Sequence, residues 1–319
     1  TDRGRPQHHA AAVAGARVVP NAPTRARPVV KAIIHAQTGA PVLSIAALRG
    51  LQLSPSEPLV PIGPPIAGPG YTSQRVAYRS QGLRVTATVL RPDSRGRHRL
   101  VIALHGYSSP ATYANGGDAM SLAIPLAGHG VLVGIPDYRG LGGGDPDPRT
   151  EPLPIASAID SLNLLELLLA DREVDPAHVG LIAHSMGGNV AEVMLASHPG
   201  IRTAVLYAPS ESQYSVLYLR RPSYFRGRPG IGTPEQDPAL FAAMSPGLNF
   251  GGLHCRILLQ QGTADPVVPA GASVIAAREL SAAGATVELR MVHGATHDLD
   301  SPVWATPLAE GTSFLLQNL

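Results

Sequence analysis

Six short strand-like runs, separated by stretches with helical spacing, constrain this chain more than any other feature. The runs are Leu100–Leu104, Val131–Ile135, Val179–Ala183, Thr203–Tyr207, Arg256–Gln260 and Thr286–Val292. Several are apolar throughout, which suits strands buried on both faces. Between them, residues 155–170 place Ile155, Ile159, Leu162, Leu165, Leu168 and Leu169 on one helical face. Residues 187–197, 271–283 and the tail from about 306 also read as helices. Alternation of this kind predicts an α/β fold, a mostly parallel central sheet with helices on both faces.

The rest of the chain is read against that rhythm. Residues 74–79 and 83–91 alternate apolar and polar around Ser80-Gln81-Gly82, the pattern of an antiparallel hairpin. Residues 1–42 carry no sustained period and are broken by Pro20, Pro23, Pro28 and Pro41, so an irregular arm is expected. Residues 43–50 suit a short helix, and the six prolines of residues 53–70 suit an extended surface linker. The expected organisation is a basic, Pro-rich arm and linker over residues 1–70, and an α/β body over 71–319. One interval, residues 210–250, separates two expected strands and holds Tyr214, Tyr218, Tyr224, Phe225, Phe241 and Phe250. Its length and aromatic content suggest a cap insertion.

Composition excludes several classes. No stretch reaches the ~18 to 20 apolar residues of a membrane-spanning helix. Cys255 is the single cysteine, which excludes a disulfide scaffold. A net charge of +2 does not call for a nucleic-acid partner. Residues 1–70 hold seven basic against two acidic residues, read as biased codon usage in a solvated leader. The chain does not begin with Met, so an export signal already removed is expected, and a secreted location is favoured over a cytoplasmic one.

The chemistry-bearing motif is Gly180-Leu-Ile-Ala-His-Ser-Met-Gly-Gly-Asn189. Ser185 follows an expected strand and precedes an expected helix, and Ala183 and Gly187 supply the small residues that such a sharp turn needs. The usual form is Gly-x-Ser-x-Gly, with Ala here in the first place. A serine hydroxyl needs a base near neutral pH. Asp265 follows the run Arg256–Gln260, and His297 lies in the loop after Thr286–Val292, in the order Ser, Asp, His that a nucleophile elbow implies. His293 competes for the base but directly ends its strand; Asp298 and Asp300 are fallback acids that follow no strand. His184 is expected to point away from the turn and to be structural. The backbone amides of Met186 and of Tyr107, the latter after His105-Gly106, are the expected oxyanion donors. Tyr107, Tyr214 and Tyr218 are candidate substrate contacts, with packing of the cap onto the body as the alternative role. No metal-ligand spacing is present, so no metal and no cofactor is expected. Asp145, Asp147 and Glu151 form an acidic loop that Gly- and Pro-rich turns explain equally well.

Taken together, Leu-His-Gly-Tyr107, Pro136-Asp-Tyr-Arg-Gly140, Val174-Asp-Pro-Ala-His-Val-Gly180, His-Ser-Met-Gly-Gly188, Gly262…Asp265…Pro269 and Gly294-Ala-Thr-His297 resemble the α/β-hydrolase-fold serine hydrolases. The nearest branch is that of the prolyl-oligopeptidase catalytic domain and dienelactone-hydrolase-like esterases, and the resemblance spans about residues 71–319. It implies Ser185 as nucleophile, His297 as base, Asp265 as its orienter, and the Tyr107 and Met186 amides as oxyanion hole. That pair also looks like the one in cutinase-like polyester hydrolases. The expected activity is hydrolysis of small, medium or aromatic carboxylic esters through an acyl-enzyme, with a small-molecule ester as partner. The alternatives are a prolyl-oligopeptidase-like peptidase and a feruloyl or polyester hydrolase.

Overall fold

The computed structural model describes residues 42–51, 53 and 57–319; the irregular arm expected before residue 42 lies outside the described residues. The strands are β1 Val60–Gly68, β2 Tyr71–Ser80, β3 Leu83–Pro92, β4 His98–Leu104, β5 Leu132–Pro136, β6 Val174–His184, β7 Thr203–Tyr207, β8 Arg256–Gly262 and β9 Thr286–Val292. They form one sheet in the order β1-β2-β3-β5-β4-β6-β7-β8-β9. From β5 across to β9 all neighbours are parallel, and β1, β2 and β3 add an antiparallel flank. The mostly parallel sheet therefore matches the expectation from sequence.

The helices are α1 Ile45–Arg49, α2 Ala119–Gly128, α3 Leu153–Leu169, α4 Met186–Ser197, α5 Tyr214–Arg220, α6 Pro238–Met244, α7 Pro246–Asn249, α8 Ala270–Ala282 and α9 Ala305–Asn318. They cover both faces. Leu100, Ile102 and Leu104 of β4 join an apolar cluster with residues of α3, α4 and α8, while Val101 and Ala103 join a second cluster with α2 and α9. Adjacent residues of one strand thus feed opposite cores, as the two-residue strand period requires. No helix among the described residues is long and apolar enough to cross a membrane.

The hairpin turn is tight. Ser80 pairs with Leu83, so Gln81 and Gly82 alone make the connection, and both have positive φ, 49° and 81°. That is the geometry of a two-residue hairpin loop whose twist matches its strands.

Two segments depart from the reading above. Part of the expected surface linker is strand β1, paired along β2 from Val60↔Ala77 to Gly68↔Tyr71. Its register shifts between Ile62 and Ile66, around Pro64 and Pro65. Proline is tolerated there because the outer side of an edge strand has no ladder bond to lose and the register shift leaves residues 63–65 without register partners on β2. Helix α2 carries Pro125 in its interior, and the sequence reading did not identify it.

A buried ion cluster locks the loop after β5 to α3. The Arg139 guanidinium donates to Asp160 Oδ1 at 2.8 Å and to Oδ2 at 3.1 Å, and Glu151 Oε2 lies 3.5 Å away. All three side chains are at most 2% exposed. Burial disfavours the cation, but the bonds and charge of Asp160, with Glu151, outweigh it and raise the guanidinium above its usual range. Removing one member of such a cluster leaves a charge stranded in the interior. Asp160→Ala should therefore destabilise the protein by about 3–5 kcal/mol in urea denaturation.

Candidate active site

β6 ends at His184 and α4 begins at Met186, so Ser185 alone makes the turn. Its backbone sits at φ 54°, ψ −120°, a sparsely populated conformation for a side-chain-bearing residue that survives only when its surroundings over-determine it. Here the Ser185 amide donates to the Tyr207 carbonyl at 2.9 Å, and the Ser210 amide donates to the Ser185 carbonyl at 3.1 Å. Gly187 makes the close approach possible. A Cβ at that position would stand 2.3 Å from the Leu104 carbonyl oxygen and 2.7 Å from that of His105.

The loops after β8 and β9 bring two more side chains to this turn. The Ser185 hydroxyl and His297 Nε2 are 2.8 Å apart, and His297 Nδ1 lies 2.8 Å from Asp265 Oδ2. With the carboxylate ionised, the tautomer that satisfies both contacts carries its proton on Nδ1. Nδ1–H then donates to Asp265, and Nε2 accepts a hydrogen bond from the Ser185 hydroxyl. The Asp265 side chain is fully buried, and Oδ1 accepts from the Val267 and Val268 amides at 2.8 and 2.9 Å. Oδ2 also accepts from Gln261 Nε2 at 3.1 Å. Burial pushes this carboxyl up, but the hydrogen bond from His297, the two amides and the charge of His297 hold it below the usual carboxylate range. The loop carrying His297 is pinned by Trp304 Nε1, which donates to the Thr296 carbonyl at 3.1 Å. His293, Asp298 and Asp300 are exposed and take no part in this chain of contacts.

The loop after β4 passes beside the serine, since a methyl group on Gly106 would stand 3.2 Å from Ser185 Cβ. Its path is fixed by Asp137, from the Pro136–Gly140 motif. Asp137 accepts from Tyr113 Oη at 2.6 Å and from the Gly116 amide at 3.0 Å, and binds Thr86 and Arg75 on its other oxygen. Tyr107 follows Gly106, and Met186 opens α4. Among the described residues neither amide is drawn into a hydrogen bond with protein.

Of the three tyrosines named from sequence as substrate contacts, only Tyr107 is exposed, at 60%, with its ring 5.7 Å from that of Tyr224. Tyr214 and Tyr218 are corrected: both are buried, and with Phe225 and Phe241 they form the aromatic core of the 210–250 interval. Aromatic content records how much apolar surface a segment carries, not which way it faces. The acidic loop is spent on local bonds. Asp145 accepts from the Arg84 amide, Asp147 pairs with Arg228, and Glu151 lies beside Arg139. Among the described residues, no three His, Cys, Asp or Glu side chains converge as a metal ion would need.

Two neighbours escaped the sequence reading. Gln261 lies in a strand and gave no signal beyond its polarity. Asp118 contacts His184 at 2.5 Å, a pairing across 66 residues that no local pattern encodes.

Comparison with known proteins agrees with this architecture. The Prolyl oligopeptidase family model matches residues 120–310. An uncharacterized protein of Mycobacterium tuberculosis is 28% identical over 199 residues, covering 60% of this chain and 64% of its own. Acetyl xylan esterase 1 from Thermoanaerobacterium sp. superposes with a TM-score of 0.66 at 18% identity, over 85% of this chain and 93% of that one. The acylaminoacyl peptidase of Pyrococcus horikoshii superposes with a TM-score of 0.67 at 17% identity, over 78% of this chain and 42% of that one. The chain thus spans less than two thirds of the mycobacterial relative and less than half of the peptidase.

Two outcomes follow from the geometry. Gly187→Ala must push α4 off the β4 end, costing about 1–3 kcal/mol of stability; fluorophosphonate labelling of Ser185 should slow in parallel. The depressed Asp265 carboxyl lends stability that is complete above ~3.9, the unfolded value, and is lost as pH falls through its lower folded value. Asp265→Asn should therefore flatten the acid dependence of the urea midpoint below about pH 4.

Proposed function

Because the chain belongs to the prolyl oligopeptidase family, a family of serine hydrolases, we propose that it hydrolyses carboxylic esters through a Ser185 acyl-enzyme. The observation that carries this reading is the pair of 2.8 Å contacts that the His297 ring makes, Nε2 to Ser185 Oγ and Nδ1 to Asp265 Oδ2. Ser185 Oγ attacks the ester carbonyl as His297 takes its proton. Asp265 keeps the imidazole in the required tautomer and stabilises the imidazolium. The developing oxyanion is received by the amides of Tyr107 and Met186. His297 then protonates the leaving alcohol and activates water to release the acid.

Ester is preferred to peptide because a peptide's amino end needs an acidic clamp, and of the acids Glu211, Glu235 and Asp237 in the 210–250 interval two are already engaged within the protein. Asp237 caps α6, its side chain accepting from the Leu240 amide at 2.9 Å. Glu235 is exposed, and Glu211 pairs with Arg220 at 2.6 Å. The exposed face of Tyr107 suits a flat acyl group, so aromatic esters fall within the proposed range. The similarity to a peptidase supports the rival reading, cleavage of a peptide amide at the same serine.

A panel of p-nitrophenyl acetate, butyrate and octanoate, run beside a prolyl-aminoacyl chromogenic amide, separates the two. Esters should turn over at least 100-fold faster than the amide, and comparable rates would overturn the esterase reading. Ser185→Ala should abolish stoichiometric fluorophosphonate labelling and lower kcat by on the order of 10⁴-fold or more. His297→Ala should do the same, and the double variant should be no worse, because the two side chains act as a unit.

A further inference from the structure

His184, beside the serine, is buried and makes two contacts that cross the site. Its Nδ1 lies 2.5 Å from Asp118 Oδ2, and its Nε2 lies 3.0 Å from the backbone carbonyl oxygen of His297. The other Asp118 oxygen accepts from the Gly106 amide at 3.0 Å. The rings of His184 and His297 face one another at 4.7 Å, inclined by 41°. One pair of side chains therefore reaches the loop after β4, the serine turn and the loop that carries His297.

Both partners of the ring are acceptors, and a neutral imidazole has a single N–H. If that proton satisfies the carboxylate, Nε2 meets the His297 carbonyl lone pair to lone pair at 3.0 Å. Two protons shared between Asp118 and His184 turn both contacts into hydrogen bonds. We propose that His184, carrying a proton on each ring nitrogen and held by the Asp118 carboxylate, is a positioning residue that ties the backbone of His297 to the oxyanion loop. The inference rests on the triad reading and goes beyond it. It adds a second histidine that acts on the base through its main chain, not through its ring.

Asp118 stays ionised in this arrangement. Burial pushes its carboxyl up, but the bond and charge of His184, the Gly106 amide and the charge of His105 outweigh that and bring it below the usual carboxylate range. A ring with a donor on each nitrogen is the form that satisfies both acceptors, Asp118 Oδ2 and the His297 carbonyl. The titratable groups facing His184 are Asp118 before α2 and His297 after β9; His105 in the loop after β4 acts on Asp118, and Asp265 lies behind His297. A ring with a single N–H would give it to Asp118, leaving Nε2 lone pair to lone pair against the His297 carbonyl and pushing the His297 loop away from Ser185. A displacement near 1 Å in such a site costs on the order of 10²-fold in rate.

The test compares the wild type, Asp118→Asn and His184→Phe in p-nitrophenyl butyrate hydrolysis across neutral to alkaline pH. In Asp118→Asn the side-chain amide donates to Nδ1, its oxygen still accepts from Gly106, and a neutral ring with Nε2–H still binds the His297 carbonyl. Asp118→Asn should thus keep wild-type kcat within about threefold near neutral pH and hold its plateau where the wild type falls tenfold. His184→Phe keeps a ring but loses both bonds. Its kcat should fall on the order of 10- to 100-fold with KM within about threefold. The inference is overturned if the wild type and Asp118→Asn share one alkaline profile, or if His184→Phe stays within twofold of wild-type kcat. If His184→Phe fails to fold, the comparison of the wild type with Asp118→Asn decides alone. Ser185→Ala and fluorophosphonate labelling, run alongside, separate failure of this inference from failure of the triad reading.

Discussion

The parallel strands end level with one another, and everything at the site depends on that register. Leu104 of β4 lies opposite Ala183 of β6, His184 opposite Tyr207 of β7, Tyr207 opposite Gln260 of β8, and Gly262 opposite Val292 of β9. The loops that follow these strands leave the sheet along one edge. Side chains 80 and 112 residues apart in sequence, Asp265 and His297 relative to Ser185, need only short loops to meet. This is the general location of sites in open α/β sheets, at the carboxyl ends of the strands. A shift of one residue in any of these pairings would move its loop by about 3.3 Å along the strand and turn its side chains to the other face.

Above that edge, carboxylates act as staples for the loops. Each of three aspartates collects backbone amides from a neighbouring segment: Asp137 that of Gly116, Asp265 those of Val267 and Val268, and Asp118 that of Gly106. A short loop has few backbone partners of its own, and a buried amide without an acceptor is costly. An ionised acceptor meets that need with a charge-assisted bond. The same residues therefore shape the loops and set the charges around the serine. The proximity of Ser185, His297 and Asp265 rests on bonds built into the fold itself.

Sequence periodicity locates the body of this architecture well. β7 and β9 begin and end where the runs Thr203–Tyr207 and Thr286–Val292 do, and α3 starts two residues before its apolar stripe. These elements bury continuous apolar surface, so their pattern is local and strong. The convergence of Ser185, Asp265 and His297 is readable for a related reason, because each lies in the turn or loop that follows a strong strand, β6, β8 or β9. What is not readable is direction and long-range pairing. The same aromatic residues describe a lining or a core, and Tyr214 and Tyr218 became core. His184 reads only as structural from sequence because its partners, Asp118 and the His297 main chain, come from loops after two other strands. α2 was hidden by Pro125, and β1 by the prolines that usually mark a linker.

Those prolines give the β1 edge a property of its own. Pro61, Pro64 and Pro65 cannot offer an N–H, so the rim of the sheet presents an interrupted row of donors to any chain drifting past. A foreign strand finds no continuous ladder to zip onto. Val60 and Ile66 can remain exposed there without nucleating a cross-β stack. The segment that reads as a spacer in one dimension serves in three as a selvedge, the finished margin that keeps a fabric from joining or unravelling at its side.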